Sequence, residues 1–133
     1  MKSMKTHKYA IFKICDEANM VVIDQTFKSV VTNTREEDRA IFYQMVEKLS
    51  DREPRYILYD MKFPRKEEKR IFNNLVFISW CSDKAPIEKK MKLASTQDYV
   101  RKKFSEATTS VNANDFDDLD YDEIAAKAEK TSN

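Results

Sequence analysis

Side chains suited to catalysis are scarce in this chain of 133 residues. It contains one histidine, His7, and no Ser/His/Asp or Cys/His set can be proposed around it. Its two cysteines, Cys15 and Cys81, lack CxxC spacing, and we expect buried, reduced thiols rather than a disulfide or a metal site. Glycine is absent, which excludes a P-loop or a dinucleotide-binding turn. We therefore expect a protein that is not an enzyme and that uses no cofactor or metal.

The distribution of charge points to binding instead. The net charge is only +1, but residues 112–133 carry seven acidic side chains and two lysines, which leaves that segment at −5 and residues 1–111 at +6. A basic body suits an acidic protein, an anionic membrane surface or a nucleic acid, and charge alone does not choose among them. Since no RNP-like motif is present, we do not expect nucleic acid as a partner. No apolar run approaches a membrane span, so we expect no transmembrane segment.

The stretch that must position a binding surface runs from Leu75 to Phe104. Its first residues, LVFISW, form an almost unbroken apolar run rich in β-branched and aromatic side chains, which predicts a central strand covered on both faces. Asp83 is placed to cap a helix after this strand, and Pro86 suits the first helical turn. About twenty residues then pass without proline or glycine, which predicts one long basic helix.

The long helix carries two apolar stripes, separated by about 130° around its axis. The first stripe consists of Ile87, Met91 and Ala94, and the second consists of Leu93, Val100, Phe104 and Ala107. A straight helix on one core cannot bury both stripes. Either the helix bends where the hydroxyls of Ser95 and Thr96 bond back to earlier carbonyls and buries both, or the second stripe packs on the sheet and the first faces a partner.

The rest of the chain supplies the framework for this strand and helix. The remaining elements, in chain order, are a β-hairpin at 9–14 and 20–24, a helix of about thirteen residues opened by a Thr34–Glu37 capping box, a strand at 55–63, a charged loop at 64–70, a short edge strand at 108–113, and a helix at 121–130 opened by Asp120 and Glu123. The predicted order is therefore β-β-α-β-β-α-β-α.

A signature crosses the strand and the long helix. It reads SWCSDKAPI from Ser79 to Ile87, then Lys90-Met91, then ASTQD up to Asp98, and it resembles the signature of the actin-depolymerising factor/cofilin family. The strand at 55–63, RYILYDMKF, also resembles a strand of that family. The resemblance implies an α/β (α+β) fold, the actin-depolymerising-factor homology fold, with a mixed sheet and helices on both faces. We expect one domain at residues 9–130, between a flexible segment at 1–8 and a tail at 131–133.

The resemblance also implies an actin-binding surface, because family members insert the start of the long helix into a cleft of actin. The implied actin contacts are Ile87, Lys90, Met91, Ser95 and Thr96. The implied filament contacts are Arg65, Lys66, Lys69, Arg70, Lys127 and Lys130. A phosphoinositide-binding helix would use Lys89, Lys92, Arg101, Lys102 and Lys103, although a solvated helical face explains the same charges. Glu88 and Gln97 stand where the family is usually basic, which weakens attraction to an acidic partner.

The function implied by the resemblance is binding of actin monomers, of filaments or of both, with filament disassembly that needs no enzymatic turnover. An alternative is an interaction module of the same fold that docks an actin-related complex or a phosphoinositide membrane. We expect a cytoplasmic monomer associated with the actin cytoskeleton. Only eight residues precede Tyr9, so we expect the family's first helix to be missing and part of one sheet face to be left uncovered.

The acidic C-terminal segment suggests a further hypothesis. Its charge is opposite to that of the long helix, so it could fold back onto that helix as an autoinhibitor.

Overall fold

The computed structural model describes residues 7–15, 20–28, 34–64, 71–104, 106–107 and 109–131. The elements are β1 (His7–Cys15), β2 (Met20–Lys28), α1 (Arg35–Val46), β3 (Arg55–Pro64), β4 (Ile71–Trp80), α2 (Ile87–Lys103), β5 (Thr109–Ala113), a 3-10 helix (Phe116–Asp118) and α3 (Tyr121–Thr131). The predicted order of strands and α-helices is confirmed, with the 3-10 helix added before α3.

The five strands form one mixed sheet in the order β2-β1-β3-β4-β5. The β1/β2, β1/β3 and β3/β4 pairs are antiparallel, whereas β5 runs parallel to β4. A parallel pair needs a long crossover, and α2 supplies it. As predicted, β5 lies at an edge and β4 lies in the interior, although the middle position belongs to β3.

Helices cover both faces of the sheet, as predicted. Successive residues of β3 alternate between the two cores, with Ile57 and Tyr59 on one face and Tyr56 and Leu58 on the other. The first core receives α1 and α3 through Phe42, Met45, Tyr121, Ile124, Ala125 and Ala128. The second core receives α2 through Leu93 and Val100. Among the described helices, α2 alone covers this second face.

The N-terminal caps of α1 and α3 are those that the local sequence predicts, whereas the cap of α2 differs from the prediction. The capping box of α1 is confirmed, since Thr34 Oγ1 accepts the Glu37 N–H at 3.1 Å and Glu37 Oε1 accepts the Thr34 N–H at 3.0 Å. At α3, the Asp120 carboxylate accepts the N–H groups of two first-turn residues. The prediction that Asp83 caps α2 was wrong. Pro86 occupies the N-cap in an extended conformation, and within the described residues no side chain caps this helix.

The beginning of β1 also differs from prediction. The strand starts at His7, so residues 7 and 8 of the segment expected to be flexible belong to β1, and residues 1–6 lie outside the described part. Lys8 is buried because its ammonium group meets the Asp38 carboxylate of α1 and the Asp60 carbonyl of β3. This long-range ion pair orders a residue whose local sequence is only polar and basic.

Asp38 is the centre of a buried polar cluster that joins α1 to the sheet and to α3. The Tyr59 hydroxyl lies 2.9 Å from Asp38 Oδ1, and the Tyr121 hydroxyl bonds Asp38 Oδ2. Burial first, and then the charge and hydrogen bonds of Asp38, raise the pKa of both tyrosines. Both hydroxyls therefore stay protonated and donate to the carboxylate, which compensates for its burial.

The acidic helix α3 lies against α1 and not against α2, so the autoinhibitor hypothesis was wrong for this helix. Asp122 bonds Arg39 at 2.8 Å and Arg35 at 3.3 Å, and Glu129 lies 3.6 Å from Arg35. These pairs hold α3 beside α1 on the sheet face opposite α2. Asp122 and Glu129 are therefore paired between two helices that lie away from the basic one.

Candidate functional site

The rotational setting of α2 decides between the two interpretations of its apolar stripes. Leu93 and Val100 are only 4% and 1% exposed, whereas Ile87 and Met91 are 72% and 67% exposed. Ala94 is exposed as well. The second stripe therefore packs on the sheet and the first faces outward, and the alternative in which a bent helix buries both was wrong.

Hydrogen bonds from a buried tyrosine hold α2 in this setting. The hydroxyl of Tyr56 on β3 donates to the Leu93 carbonyl and lies 2.7 Å from Thr96 Oγ1. Burial raises the pKa of Tyr56, although its hydrogen bond with Thr96 acts in the opposite direction. The predicted back-bonding is confirmed, since Ser95 Oγ and Thr96 Oγ1 contact the Lys92 carbonyl at 2.9 and 3.0 Å. Of the two hydroxyl residues predicted to contact actin, Ser95 is exposed and Thr96 faces Tyr56.

The predicted cationic contact, Lys90, lies beside the two apolar residues on the flank of α2 that faces β5. Its Nζ donates to the Asp83 carbonyl at 2.6 Å, which folds the side chain against the turn that precedes the helix. Two turns further on the same flank, Gln97 Nε2 donates to Asn112 Oδ1 at 2.8 Å. The site therefore combines two exposed apolar side chains with a positive charge, which is suited to binding and not to bond-making chemistry.

The five residues predicted for phosphoinositide binding do not form one cluster. Lys89 is engaged by Glu53, whose carboxylate oxygens lie 2.6 and 2.7 Å from its Nζ. Lys89 and Arg101 are separated by about 18 Å along the helix, from the rise of 1.5 Å per residue. The exposed group consists of Arg101, Lys102 and Lys103 in the last turn, where positive charge complements the helix dipole. Lys92, the remaining member, is half-buried in the first half of α2.

The residues predicted for a filament contact lie away from α2 or outside the described residues. Lys127 and Lys130 are exposed on α3, and Lys127 Nζ donates to the Ser110 carbonyl at 2.6 Å. The other four, Arg65, Lys66, Lys69 and Arg70, lie outside the described residues. Lys127 and Lys130 thus lie on a different helix from the predicted actin contacts.

An open cavity of about 420 Å³ lies beside the C-terminal half of α2. Phe77, Phe104 and Ala107 supply its apolar lining. Its charged lining residues are of both signs: Asp98, Arg101 and Lys102. It occupies the sheet face that α2 covers.

One exposed residue of α2 was missed at the level of sequence. Tyr99 is 62% exposed, although aromatic residues were assigned to the core by default. Its position four residues after Ser95 and eight after Met91 places it on the outward side at 100° per residue. A helical projection of every aromatic residue would have found it.

Among the described residues, no group of three or more His, Cys, Asp and Glu side chains is placed to hold a metal ion. None of the described helices is long and apolar enough to cross a membrane.

Comparison with known proteins decides the family. The family model for cofilin/tropomyosin-type actin-binding proteins matches residues 1–129. The chain belongs to this family. Cofilin from Schizosaccharomyces pombe is 30% identical over 127 residues, which cover 96% of this chain and 84% of the yeast protein. Cofilin from Gibberella zeae is 28% identical over 138 residues, which cover 98% of this chain and 86% of the fungal protein.

Solved structures of cofilin-family proteins share the fold. Streptomyces griseoflavus cofilin has a TM-score of 0.77 at 24% identity, covering 96% of this chain and 86% of that chain. Plasmodium berghei actin depolymerization factor 2 has a TM-score of 0.76 at 22% identity, and the match covers 93% of this chain and 84% of the Plasmodium chain. The resemblance drawn from the signature is confirmed. In this cofilin-family chain, the signature spans the end of β4, the following turn and the exposed side of α2.

Proposed function

We propose that this protein binds actin through the outward side of α2 and promotes filament disassembly without enzymatic turnover. The observation that carries the proposal is the exposure of Ile87 and Met91, 72% and 67%, on one face of a helix whose opposite face is buried. Adjacent exposed apolar side chains with a neighbouring cation mark interaction sites. Lys90 is the cation, and membership of an actin-binding family names the partner.

The proposed mechanism is differential binding. A protein that binds one conformation of a filament subunit more tightly shifts the filament toward that conformation, by no more than its difference in affinity for the two states. If the preferred state is a twisted, ADP-bound filament, contacts between subunits weaken. A well-packed apolar anchor contributes about 2 kcal/mol or more to binding, whereas a charge at the rim contributes about 0–1 kcal/mol. Ile87 and Met91 then dominate the affinity, and Lys90 contributes orientation.

Co-sedimentation with actin filaments tests this proposal. The natural chain is compared with a Lys90→Ala/Met91→Ala variant, and the matched control is Lys13→Ala/Ile23→Ala, which removes an exposed cation and an exposed apolar side chain from the β1–β2 hairpin. We expect the natural chain and the control to pellet with actin or to move actin into the supernatant, and the α2 variant to do neither. A natural chain that leaves actin unaffected would overturn the proposal.

Disassembly of filaments requires a second contact in addition to the one made by α2, and we propose Lys127 and Lys130 on α3 for part of it. Their exposure on an element separate from α2 supports this assignment. A Lys127→Ala/Lys130→Ala variant should keep its affinity for actin monomers and lose affinity for filaments. Equal affinity for filaments before and after the substitution would remove these residues from the filament contact.

A second candidate function is attachment to phosphoinositide membranes. The observation that favours it is the exposed run Arg101–Lys102–Lys103 at the end of α2. Vesicles of phosphatidylcholine with and without phosphatidylinositol bisphosphate distinguish this candidate. Binding that depends on the phosphoinositide and disappears when the three residues are replaced by alanine would support it, and equal binding to both vesicles would exclude it.

A further inference from the structure

Tyr99 continues the outward side of α2 beyond the predicted actin contacts. Ile87, Met91, Ser95 and Tyr99 follow one another at intervals of four residues, and all four are exposed. Side chains at this spacing form a continuous ridge on a helix surface. The ridge Ile87–Met91–Ser95–Tyr99 is about 18 Å long, and Tyr99 lies about 12 Å beyond Met91 along the axis.

The exposure of Tyr99 differs from that of other large apolar side chains that lie at the surface. Tyr43 is also exposed, but its hydroxyl accepts the Tyr121 N–H at 3.0 Å and helps to join α1 to α3. The ring of Phe116 packs against Trp80, with the two ring centroids 4.7 Å apart. Both aromatics therefore contribute contacts within the fold. The Tyr99 ring instead extends a ridge that already carries the two most exposed large apolar side chains of the described residues.

The ring of Tyr99 is placed by its neighbour one turn later. Lys103 Nζ lies 5.3 Å from the ring centroid, within the range of a cation–π contact. This contact puts a positive charge beside the ring, at the far end of the ridge. A partner that accepts this part of α2 must offer an apolar depression with acidic groups beside it.

We propose that Tyr99 is a third anchor of the actin-binding ridge and a residue that sets its specificity. The inference rests on the proposed function, because continuity with Ile87 and Met91 identifies the partner. Tyrosine is among the residues that most often dominate interface energetics, since it buries a large area with few rotatable bonds. The actin surface must therefore provide a second depression about 12 Å from the one that Met91 fills.

Affinity for actin, measured with pyrene-labelled monomers and by co-sedimentation, tests Tyr99 separately from the rest of the site. The variants are Tyr99→Ala, Tyr99→Phe and Met91→Ala, with Ile23→Ala as a matched control because Ile23 is 53% exposed on β2. We expect Tyr99→Ala to weaken binding about tenfold, as for an aromatic interface residue, and Tyr99→Phe and Ile23→Ala to bind like the natural chain. Alanine suits an exposed helix position, so the variant should remain folded.

The other possible results distinguish failure of the inference about Tyr99 from failure of the proposed function. If Met91→Ala weakens binding while Tyr99→Ala binds like the natural chain, the inference about Tyr99 is overturned and the proposed function stands. If Tyr99→Ala and Ile23→Ala weaken binding equally, the loss is not specific to the ridge and the inference is also overturned. If the natural chain does not bind actin at all, the proposed function fails and the inference fails with it. Unfolding midpoints of all variants establish that the changes are not losses of fold.

Discussion

The hydroxyl of Tyr56 lies 2.7 Å from Thr96 Oγ1, in the contact between the sheet and the middle of α2. Tyr56 is wholly buried, and its hydroxyl also donates to the Leu93 carbonyl. An apolar contact alone tolerates rotation of a helix, but a hydrogen bond requires one orientation of donor and acceptor. This pair therefore contributes to holding Ile87 and Met91 on the outward side.

Removing the Tyr56 hydroxyl should weaken the fold moderately. We expect Tyr56→Phe to lower the free energy of unfolding by about 0.5–1.5 kcal/mol, because Thr96 keeps its bond to the Lys92 carbonyl. Urea unfolding of Tyr56→Phe, Thr96→Val and the double variant measures the coupling. If the losses in the free energy of unfolding of the two single variants add fully in the double variant, the two hydroxyls do not interact.

Breaking the buried ion pair of Lys8 and Asp38 should be far more costly. Lys8→Met leaves the Asp38 carboxylate buried without its cation, and we expect a loss of about 3–5 kcal/mol in the free energy of unfolding. The control is Lys13→Met, because Lys13 and Asp24 form a partly exposed pair at 3.9 Å worth about 0–1 kcal/mol, and Asp24 keeps its pair with Arg55 when Lys13 is replaced. Similar losses for the two variants, measured by urea unfolding, would contradict the structural role of Lys8.

Stability should fall at alkaline pH because of Tyr59 and Tyr121. Burial and the nearby Asp38 carboxylate raise both folded-state pKa values from the ordinary 10.0. The contribution of these two tyrosines to the free energy of unfolding is therefore fully present below pH 10. It is lost as the pH rises above 10, because the unfolded chain then releases protons that the folded chain retains. Each tyrosine adds a slope of about 1.4 kcal/mol per pH unit. Urea midpoints between pH 9 and 11.5 should show a shallower slope for Tyr121→Phe, and an unchanged slope would refute the assignment.

Removing Asp122 should have little effect on actin binding. Its hydrogen bond to Arg39 lowers the Asp122 pKa, so any stabilisation is present above the ordinary value of 3.8 and is lost as the pH falls through the folded-state pKa. The pair is exposed, and we expect Asp122→Asn to cost about 0–1 kcal/mol. Because α3 lies on the face opposite α2, the affinity for actin monomers and its salt dependence should not change. A change in monomer affinity would contradict the separation of Asp122 from the α2 surface.

Releasing Lys89 should enlarge the basic surface of α2. Glu53 binds the Lys89 ammonium through both carboxylate oxygens, so Glu53→Gln should leave one more positive charge available to an anionic membrane. A single juxtamembrane charge contributes about 1 kcal/mol, which corresponds to an increase of about fivefold in affinity for phosphoinositide vesicles. Asp51→Asn serves as a control in the same loop, and equal vesicle affinity for both variants would show that Lys89 does not take part.

Much of the fold follows from local sequence rules. The Thr34–Glu37 capping box, the alternation of β3 and the unbroken apolar run of β4 each depend on residues near one another in the chain. The strands and helices were therefore predictable, with errors at ends such as His7. The Ser79–Asp98 signature was sufficient for the family, because it combines residue types and spacing over twenty positions.

The orientation of the binding surface was decided only by tertiary structure. The sequence of α2 permits two apolar stripes to compete for the sheet, and the choice depends on Tyr56, which lies 40 residues before Thr96. The partners of Lys8, Asp122 and Lys89 likewise come from distant elements of the chain. The sequence therefore gives the number of charges but does not predict which charged side chains form ion pairs. Local propensity specifies where helices and strands form, whereas long-range packing and pairing specify which of their faces remain available to a partner.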